Sequence, residues 1–229
     1  MQICLCLQKY GLLIRRQDVS VYMVKRYGTA QYYIYNVISR QCSSLSEGGA
    51  QQAPQFSPDG TMIAFARNND LYLVKLLFGN SESRITKDGE RNKIINGIPD
   101  WVYEEEFSFN RALEFSADSQ MLAYIKFDES GVKQYDFPLF AGQAPHYGEL
   151  EKYPGSYVYK YPKTGEAKSS VSVHTFDIQT RVTRRMEVPM EADSYIPRIR
   201  FTQDKDQLAI MTLNRRQNQF DLSLANPRS

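Results

Sequence analysis

The sequence has few of the residues that build disulfide and metal sites. Its 229 residues include only three cysteines, two histidines and one tryptophan. Cys4, Cys6 and Cys42 are an odd number and leave no complete disulfide framework. His146 and His174 lie far from the cysteines, so no cluster has zinc-ligand spacing. We therefore expect no bound metal and no cofactor, and we interpret the thiols as buried or incidental.

The chain also lacks long apolar runs and an excess of charge of either sign. No apolar stretch approaches the ~20 residues that a transmembrane helix needs. Residues 1–7 are apolar but have no basic start and no apolar core of sufficient length, so we expect no signal peptide. With 28 basic and 26 acidic side chains, the formal net charge is +2. We therefore expect no membrane segment and no nucleic-acid partner.

Aromatic residues, by contrast, are abundant, and three of them begin a repeated pattern. In each repeat an aspartate follows the phenylalanine by three positions and an alanine follows it by eight. The aspartate suits a turn because its side chain can accept a hydrogen bond from the following backbone. The small alanine indicates a crowded layer between sheets. The repeats are Phe56, Asp59 and Ala64; Phe115, Asp118 and Ala123; and Phe201, Asp204 and Ala209.

The spacing of these repeats predicts the fold class. A four-stranded propeller blade takes ~40–50 residues, and both repeat intervals are longer than that. We expect the first interval to hold a blade plus an insertion at about 95–110, and the second a blade plus a tyrosine-rich arm at about 128–168. The prediction is an all-β, partial β-propeller of about three to four blades of four-stranded antiparallel sheets, with a short helical insertion. A β-sandwich is the alternative.

Three adjacent carboxylates in residues 97–107 are the chemically unusual feature of the chain. Glu104, Glu105 and Glu106 stand between Tyr103 and Phe107. Neighbouring like charges raise one another's pKa unless water or a cation relieves them. A calcium loop would space its acids at alternate positions with a glycine, so a primary ammonium group fits this run better. A solvated acidic surface remains the alternative interpretation.

This stretch resembles the double-glutamate motif of the dipeptidyl peptidase IV family of serine exopeptidases. The resemblance implies that Glu105 and Glu106 bind the free N-terminal amine of a peptide substrate. It also implies a propeller that sits over an α/β-hydrolase domain, and cleavage after a proline or alanine in the second position. Weaker resemblance extends to Tyr161–Gly165 and Leu213–Asn218. The motif frame consists of Asp100, Trp101, Tyr103 and Glu104.

The resemblance implies two further interactions. An arginine from an earlier blade holds the substrate backbone in the family, and Arg26 is the candidate here beside Lys25, although the surrounding pattern departs from the family's. In the family, an arm from this part of the propeller helps to form a homodimer, so the arm at 128–168 is the candidate dimer contact. The alternatives are a solvated strand charge and a loop that packs on its own blade.

The sequence contains no Gly-x-Ser-x-Gly nucleophile motif. Residues 79–83 come nearest but lack the final glycine. We therefore expect residues 1–229 to form an incomplete propeller domain without the catalytic α/β-hydrolase domain, inactive alone and of marginal stability. The resemblance implies a periplasmic, extracellular or cell-surface location. The alternative function is a non-catalytic propeller that acts as a protein-binding scaffold.

Overall fold

The computed structural model describes residues 4–7, 12–17, 29–36, 40–139 and 153–228. These residues form eighteen strands, one α-helix and a short 3-10 turn at Leu76–Phe78. The helix is α1 (Trp101–Glu106). The strands are β1 (Cys4–Leu7), β2 (Leu12–Gln17), β3 (Gln31–Asn36), β4 (Gln41–Ser44), β5 (Gln52–Phe56), β6 (Met62–Arg67), β7 (Asp70–Lys75), β8 (Ser81–Arg84), β9 (Ile94–Asn96), β10 (Leu113–Phe115), β11 (Met121–Asp128), β12 (Gln134–Leu139), β13 (Gly155–Lys160), β14 (Ser170–Asp177), β15 (Thr183–Arg185), β16 (Tyr195–Phe201), β17 (Leu208–Leu213) and β18 (Phe220–Ala225).

The strands pair into four antiparallel sheets and one separate hairpin. Sheet 1 holds β1 to β4 and sheet 2 holds β5 to β8, each in chain order. Sheet 3 has the order β10-β11-β14-β15, with β9 also paired to β11. Sheet 4 holds β16 to β18, so it has three strands in the described residues instead of the expected four. Strands β12 and β13 form the hairpin.

The sheets stack face to face in chain order. On one face of sheet 2, Ile63 and Phe65 pack against Tyr32 and Ile34 of sheet 1. On its other face, Ala64 belongs to a second core that continues through sheets 3 and 4. Both faces of the central sheets are therefore buried, which is how neighbouring blades of a β-propeller protect one another. The partial β-propeller predicted from the repeats is confirmed.

The first two repeats form the same turn with the same hydrogen bonds. The Ser57 hydroxyl donates to Asp59 at 2.5 Å, and the Ser116 hydroxyl donates to Asp118 at 2.6 Å. The same hydroxyls accept from the backbone N–H groups of Met62 and Met121, at 3.0 and 2.9 Å. In the third repeat the carboxylate of Asp204 accepts from the N–H of Asp206. The aspartates therefore bond within their own turns, as expected from their position, and Asp118 also pairs with Arg228 at 3.5 Å.

The repeat alanines show which face of each sheet meets the next one. Ala64 and Ala123 are fully buried in the shared core. Ala209, at the same position of sheet 4, is only half-buried. Beside it, on β18, Phe220, Leu222 and Leu224 are 57%, 58% and 60% exposed. The face of sheet 4 that corresponds to the covered faces of sheets 2 and 3 is therefore open.

Candidate functional site

The glutamate helix α1 lies in an insertion that interrupts the first strand of sheet 3. Asn96 pairs opposite Lys126 and Leu113 opposite Tyr124, so β9 and β10 are two halves of one strand along β11. Between them, the Gly97 N–H donates to the Ile125 carbonyl at 3.0 Å, and the Ile125 N–H donates to the Ala112 carbonyl at 2.9 Å. The chain thus leaves and re-enters the sheet at a single rung. Residues 98–111 form the insertion, against the expected 95–110.

Gly97 allows the chain to leave the sheet at this rung. Its φ of +72° lies in the left-handed region, and a Cβ there would stand 2.4 Å from Cδ2 of Leu71 in sheet 2. The Ala112 N–H donates to the Gly97 carbonyl at 2.8 Å and closes the base of the insertion. Any side chain at this position therefore meets both backbone strain and a steric clash.

Replacing Gly97 with alanine is expected to lower the free energy of unfolding by about 2–4 kcal/mol. The positive φ costs about 1 kcal/mol and the overpacking against Leu71 adds about 1–3 kcal/mol. Urea denaturation followed by circular dichroism measures the change. Gly131→Ala is the control, because a Cβ there meets nothing within 4 Å and the φ is not positive. Equal stability of the two variants would contradict this account of Gly97.

The start of α1 is fixed by a buried aspartate. The Asp100 side chain accepts from the Tyr103 N–H at 2.9 Å and caps the first turn of the helix. The hydroxyl of Ser169, which directly precedes β14, donates to the other carboxylate oxygen at 2.5 Å. Asp100 is 4% exposed and Ser169 is 1% exposed, so both contacts are shielded from water. An N-cap normally stabilises a helix by about 1 kcal/mol.

Tyr103 ties the middle of the helix to sheet 4. Its hydroxyl accepts from the Ile196 N–H on β16 at 3.1 Å. The ring is fully buried, and burial raises the pKa of the hydroxyl well above its usual range. Four aromatic rings surround it with centroids 4.8 to 6.0 Å away. These rings are Phe107, Phe109, Phe127 and Tyr195.

Both ends of α1 have a further contact with residues outside the insertion. The ring of Trp101 lies 4.3 Å from that of Tyr161, which follows the hairpin. Arg198 on β16 donates to the Phe107 carbonyl at the end of the helix, at 3.2 Å. A six-residue helix is too short to be stable by itself, so these tertiary contacts hold it. The anchors Ser169 and Arg198 were missed in the sequence, because no local pattern links positions so far apart.

The three glutamates of α1 differ in their exposure. Glu104 is 9% exposed, Glu105 is half-buried and Glu106 is exposed. Within the described part of the chain, no ion pair or side-chain hydrogen bond involves Glu105 or Glu106. Two negative charges therefore stand side by side at the end of a rigidly held helix.

The cations near Tyr195 form no ion pair with Glu106. Burial raises the pKa of the Tyr195 hydroxyl, Arg215 opposes that rise, and Asp193 and Glu106 add to it. Lys168 and Arg215 lie over the ring at 4.6 and 6.0 Å. Both cations pair with Asp193, at 3.6 and 3.4 Å, and neither pairs with Glu106. The Glu106 carboxylate is therefore available to a cationic ligand.

Two of the predicted site features lie wholly or partly outside the described residues. Arg26 is among them, so its expected role stays a prediction. Of the arm at 128–168, residues 140–152 with His146 are not described, while the hairpin β12–β13 is. That hairpin is rich in aromatic contacts, including Phe137 stacked on Tyr159 at 5.0 Å.

Two negative findings apply to the described residues. They contain no group of three or more histidine, cysteine, aspartate or glutamate side chains suited to a metal ion. They also contain no helix long and apolar enough to cross a membrane.

The fold and the insertion define the class of protein: a β-propeller of antiparallel blades in which one blade carries an inserted glutamate helix. Comparison with known sequences narrows the class to a family. Residues 13–229 match the family described as the "Dipeptidyl peptidase IV (DPP IV) N-terminal region". The chain belongs to the dipeptidyl peptidase IV family and represents its N-terminal region.

Known proteins similar to this chain agree with that assignment. A dipeptidyl-aminopeptidase B of Penicillium rubens is 35% identical over 167 residues, which is 69% of this chain and 18% of the relative. A dipeptidyl peptidase 4 of Neosartorya fischeri is 34% identical over 201 residues, 82% of this chain and 25% of the relative.

Solved structures agree as well. The crystal structure of Porphyromonas gingivalis dipeptidyl peptidase 4 matches with a TM-score of 0.86 and 40% identity, over 95% of this chain and 30% of that one. A dipeptidyl aminopeptidase IV from Bacteroides ovatus, at 20% identity and a TM-score of 0.68, supports the fold alone. The chain spans less than a third of the length of each of these relatives.

Proposed function

We propose that this chain is the substrate-recognition propeller of a dipeptidyl peptidase and that Glu105 and Glu106 bind the free α-ammonium group of a peptide. The observation that carries the proposal is a pair of adjacent carboxylates, unpaired among the described residues, on a helix held by contacts from outside its own insertion. An ammonium group has three N–H donors and one positive charge, which two carboxylates satisfy together.

Binding the amine at a defined point would set the distance from the N-terminus of the peptide to the bond that is cut. Positioning of this kind reduces the entropy cost of a reaction without forming or breaking a bond. The release of N-terminal dipeptides would then require an α/β-hydrolase domain, which supplies the serine, aspartate and histidine. This chain alone is expected to bind peptides and not to cleave them. Cleavage after proline or alanine, a homodimer contact through the arm at 128–168 and a periplasmic or extracellular location belong to the same proposal.

Peptides with a free amine are expected to bind at least ~10-fold more tightly than their N-acetylated forms, because charge-assisted hydrogen bonds contribute about 1.5–3 kcal/mol. Trp101, the only tryptophan of the chain, begins α1, so its fluorescence reports on this site. In the double variant Glu105→Gln, Glu106→Gln the two peptide forms should bind equally.

Glu187→Gln with Glu191→Gln provides the matched control. Both residues are exposed and lie after β15, so the charge of the chain changes equally without touching α1. The wild-type preference for free amines should survive in this control. Equal binding of free and acetylated peptides by the wild-type chain would remove the ammonium proposal and favour a protein-binding scaffold.

A further inference from the structure

A second charged feature lies next to the glutamate helix. A cleft of about 240 Å³ opens between the returning limb of the insertion, residues 108–114, and β16. Its walls carry three arginines, Arg111, Arg198 and Arg200, and one carboxylate, that of Glu114. The cleft therefore has an excess of positive charge, whereas the adjacent helix has an excess of negative charge.

The three arginines of the cleft are engaged differently. Arg198 donates to the Phe107 carbonyl and lies 4.8 Å over the ring of Phe109. Arg200 forms an ion pair with Glu114. Arg111 is exposed and forms no direct ion pair or hydrogen bond with a described residue, although the Glu114 carboxylate attracts it electrostatically. Its guanidinium group is thus the available anion-binding group in this part of the cleft.

The spacing between the two charged features limits what can bridge them. Glu106 and Arg111 are five residues apart, so their Cα atoms are separated by at most about 18 Å. An extended peptide advances about 3.3 Å per residue. The length of about five extended residues therefore covers the separation between Glu106 and Arg111.

We propose that the arginine cleft binds a side-chain carboxylate of the peptide whose amine is held by Glu105 and Glu106. A guanidinium group offers paired N–H donors that match the two oxygens of a carboxylate. The chain would then favour peptides with an aspartate or glutamate shortly after the N-terminal dipeptide. This inference rests on the proposed amine site and adds a second determinant of specificity to it.

Four forms of one peptide separate the two proposals. The peptides are short, have proline at the second position and carry either glutamate or glutamine at the third. Each is made with a free and with an acetylated amine. Further peptides carry the glutamate or glutamine at the fourth or fifth position instead. Binding is followed through the fluorescence of Trp101 and checked by calorimetry. We expect the best-placed glutamate to bind about three- to tenfold more tightly than glutamine.

Arg111→Gln should abolish the glutamate preference and keep the preference for a free amine. Arg184→Gln is the matched control, because Arg184 is exposed on β15 and its loss changes the net charge equally. Glu114→Gln should strengthen the glutamate preference, since it removes the carboxylate of the cleft. A thermal melt of each variant establishes that it is folded.

Several results would overturn the inference. If glutamate and glutamine peptides bind equally at every position while the preference for a free amine is intact, the proposed role of the cleft is wrong and the proposed amine site is unaffected. An equal loss of preference in Arg184→Gln and Arg111→Gln would show an effect of net charge alone. A weaker glutamate preference in folded Glu114→Gln would contradict the role of the arginines. Loss of the amine preference itself would instead count against the proposed function.

Discussion

Replacing Tyr103 with alanine is expected to lower the free energy of unfolding of this chain by about 3–5 kcal/mol. The ring is fully buried between four other aromatic rings, and its hydroxyl accepts the Ile196 N–H. Removal leaves a large cavity and a buried backbone donor without its acceptor, and each carries its own cost. Domains are stable by only about 5–15 kcal/mol, so this one side chain accounts for a large part of the total.

The same substitution should also remove the preference for peptides with a free amine. Tyr103 connects α1 to sheet 4, and without it Glu105 and Glu106 lose their fixed position. Tyr103→Phe isolates the hydroxyl and should cost about 1–3 kcal/mol. Urea denaturation followed by circular dichroism gives both values. Tyr153→Ala is the control, since Tyr153 is 78% exposed and surface changes stay within about 0.5 kcal/mol. A denaturation midpoint for Tyr103→Ala equal to that of Tyr153→Ala would contradict the role of the ring.

Three exposed apolar side chains form a row on β18: Phe220, Leu222 and Leu224. We expect the wild-type chain to self-associate and the variant with all three replaced by threonine to be a monomer. These side chains stand on the face that the next sheet covers in sheets 2 and 3. Uncovered apolar faces of this kind associate with other copies at roughly micromolar to millimolar concentrations. Threonine keeps the strand propensity while removing most of the apolar surface.

Sedimentation velocity over a range of concentrations measures this association. Leu77→Ser is the control, because Leu77 is 75% exposed but lies outside this row, in the turn after β7. That variant should associate like the wild-type chain. A wild-type chain that stays monomeric at every concentration and melts in one sharp transition would contradict both the association and the marginal stability expected from the sequence.

Much of the fold was predictable because its signals are local. The Phe–Asp–Ala offsets specify a strand end, a turn and a strand within nine residues, and Asp59 and Asp118 act inside those same turns. The burial of Ala64 and Ala123 follows from the crowded layer that the repeats predict, whereas the three-stranded sheet 4 and the half-buried Ala209 do not. Whether an alanine faces another sheet depends on how whole sheets stack, which no short segment encodes.

The candidate site likewise has one part that local sequence predicts and another part that only the folded structure shows. The acidic run and its aromatic frame were visible because they are contiguous, and an N-cap role for Asp100 depends only on Tyr103, three residues later. The contacts of Ser169 and Arg198 with the helix join positions about seventy and ninety residues apart. The arginine cleft likewise needs Arg111 from the insertion and Arg200 from β16 of sheet 4.

The sequence by itself determined the repeating β architecture, the three adjacent acids and the family to which the chain belongs, since each of these is carried by residues close together along the chain. Only the tertiary structure decided that Glu104 is buried while Glu106 is exposed, that α1 interrupts a strand at one rung, and that an arginine cleft lies beside it. A helix of six residues takes its orientation from what it packs against. Those partners are the residue before β14, a residue of β16 and the residue after the hairpin, and folding alone brings them together.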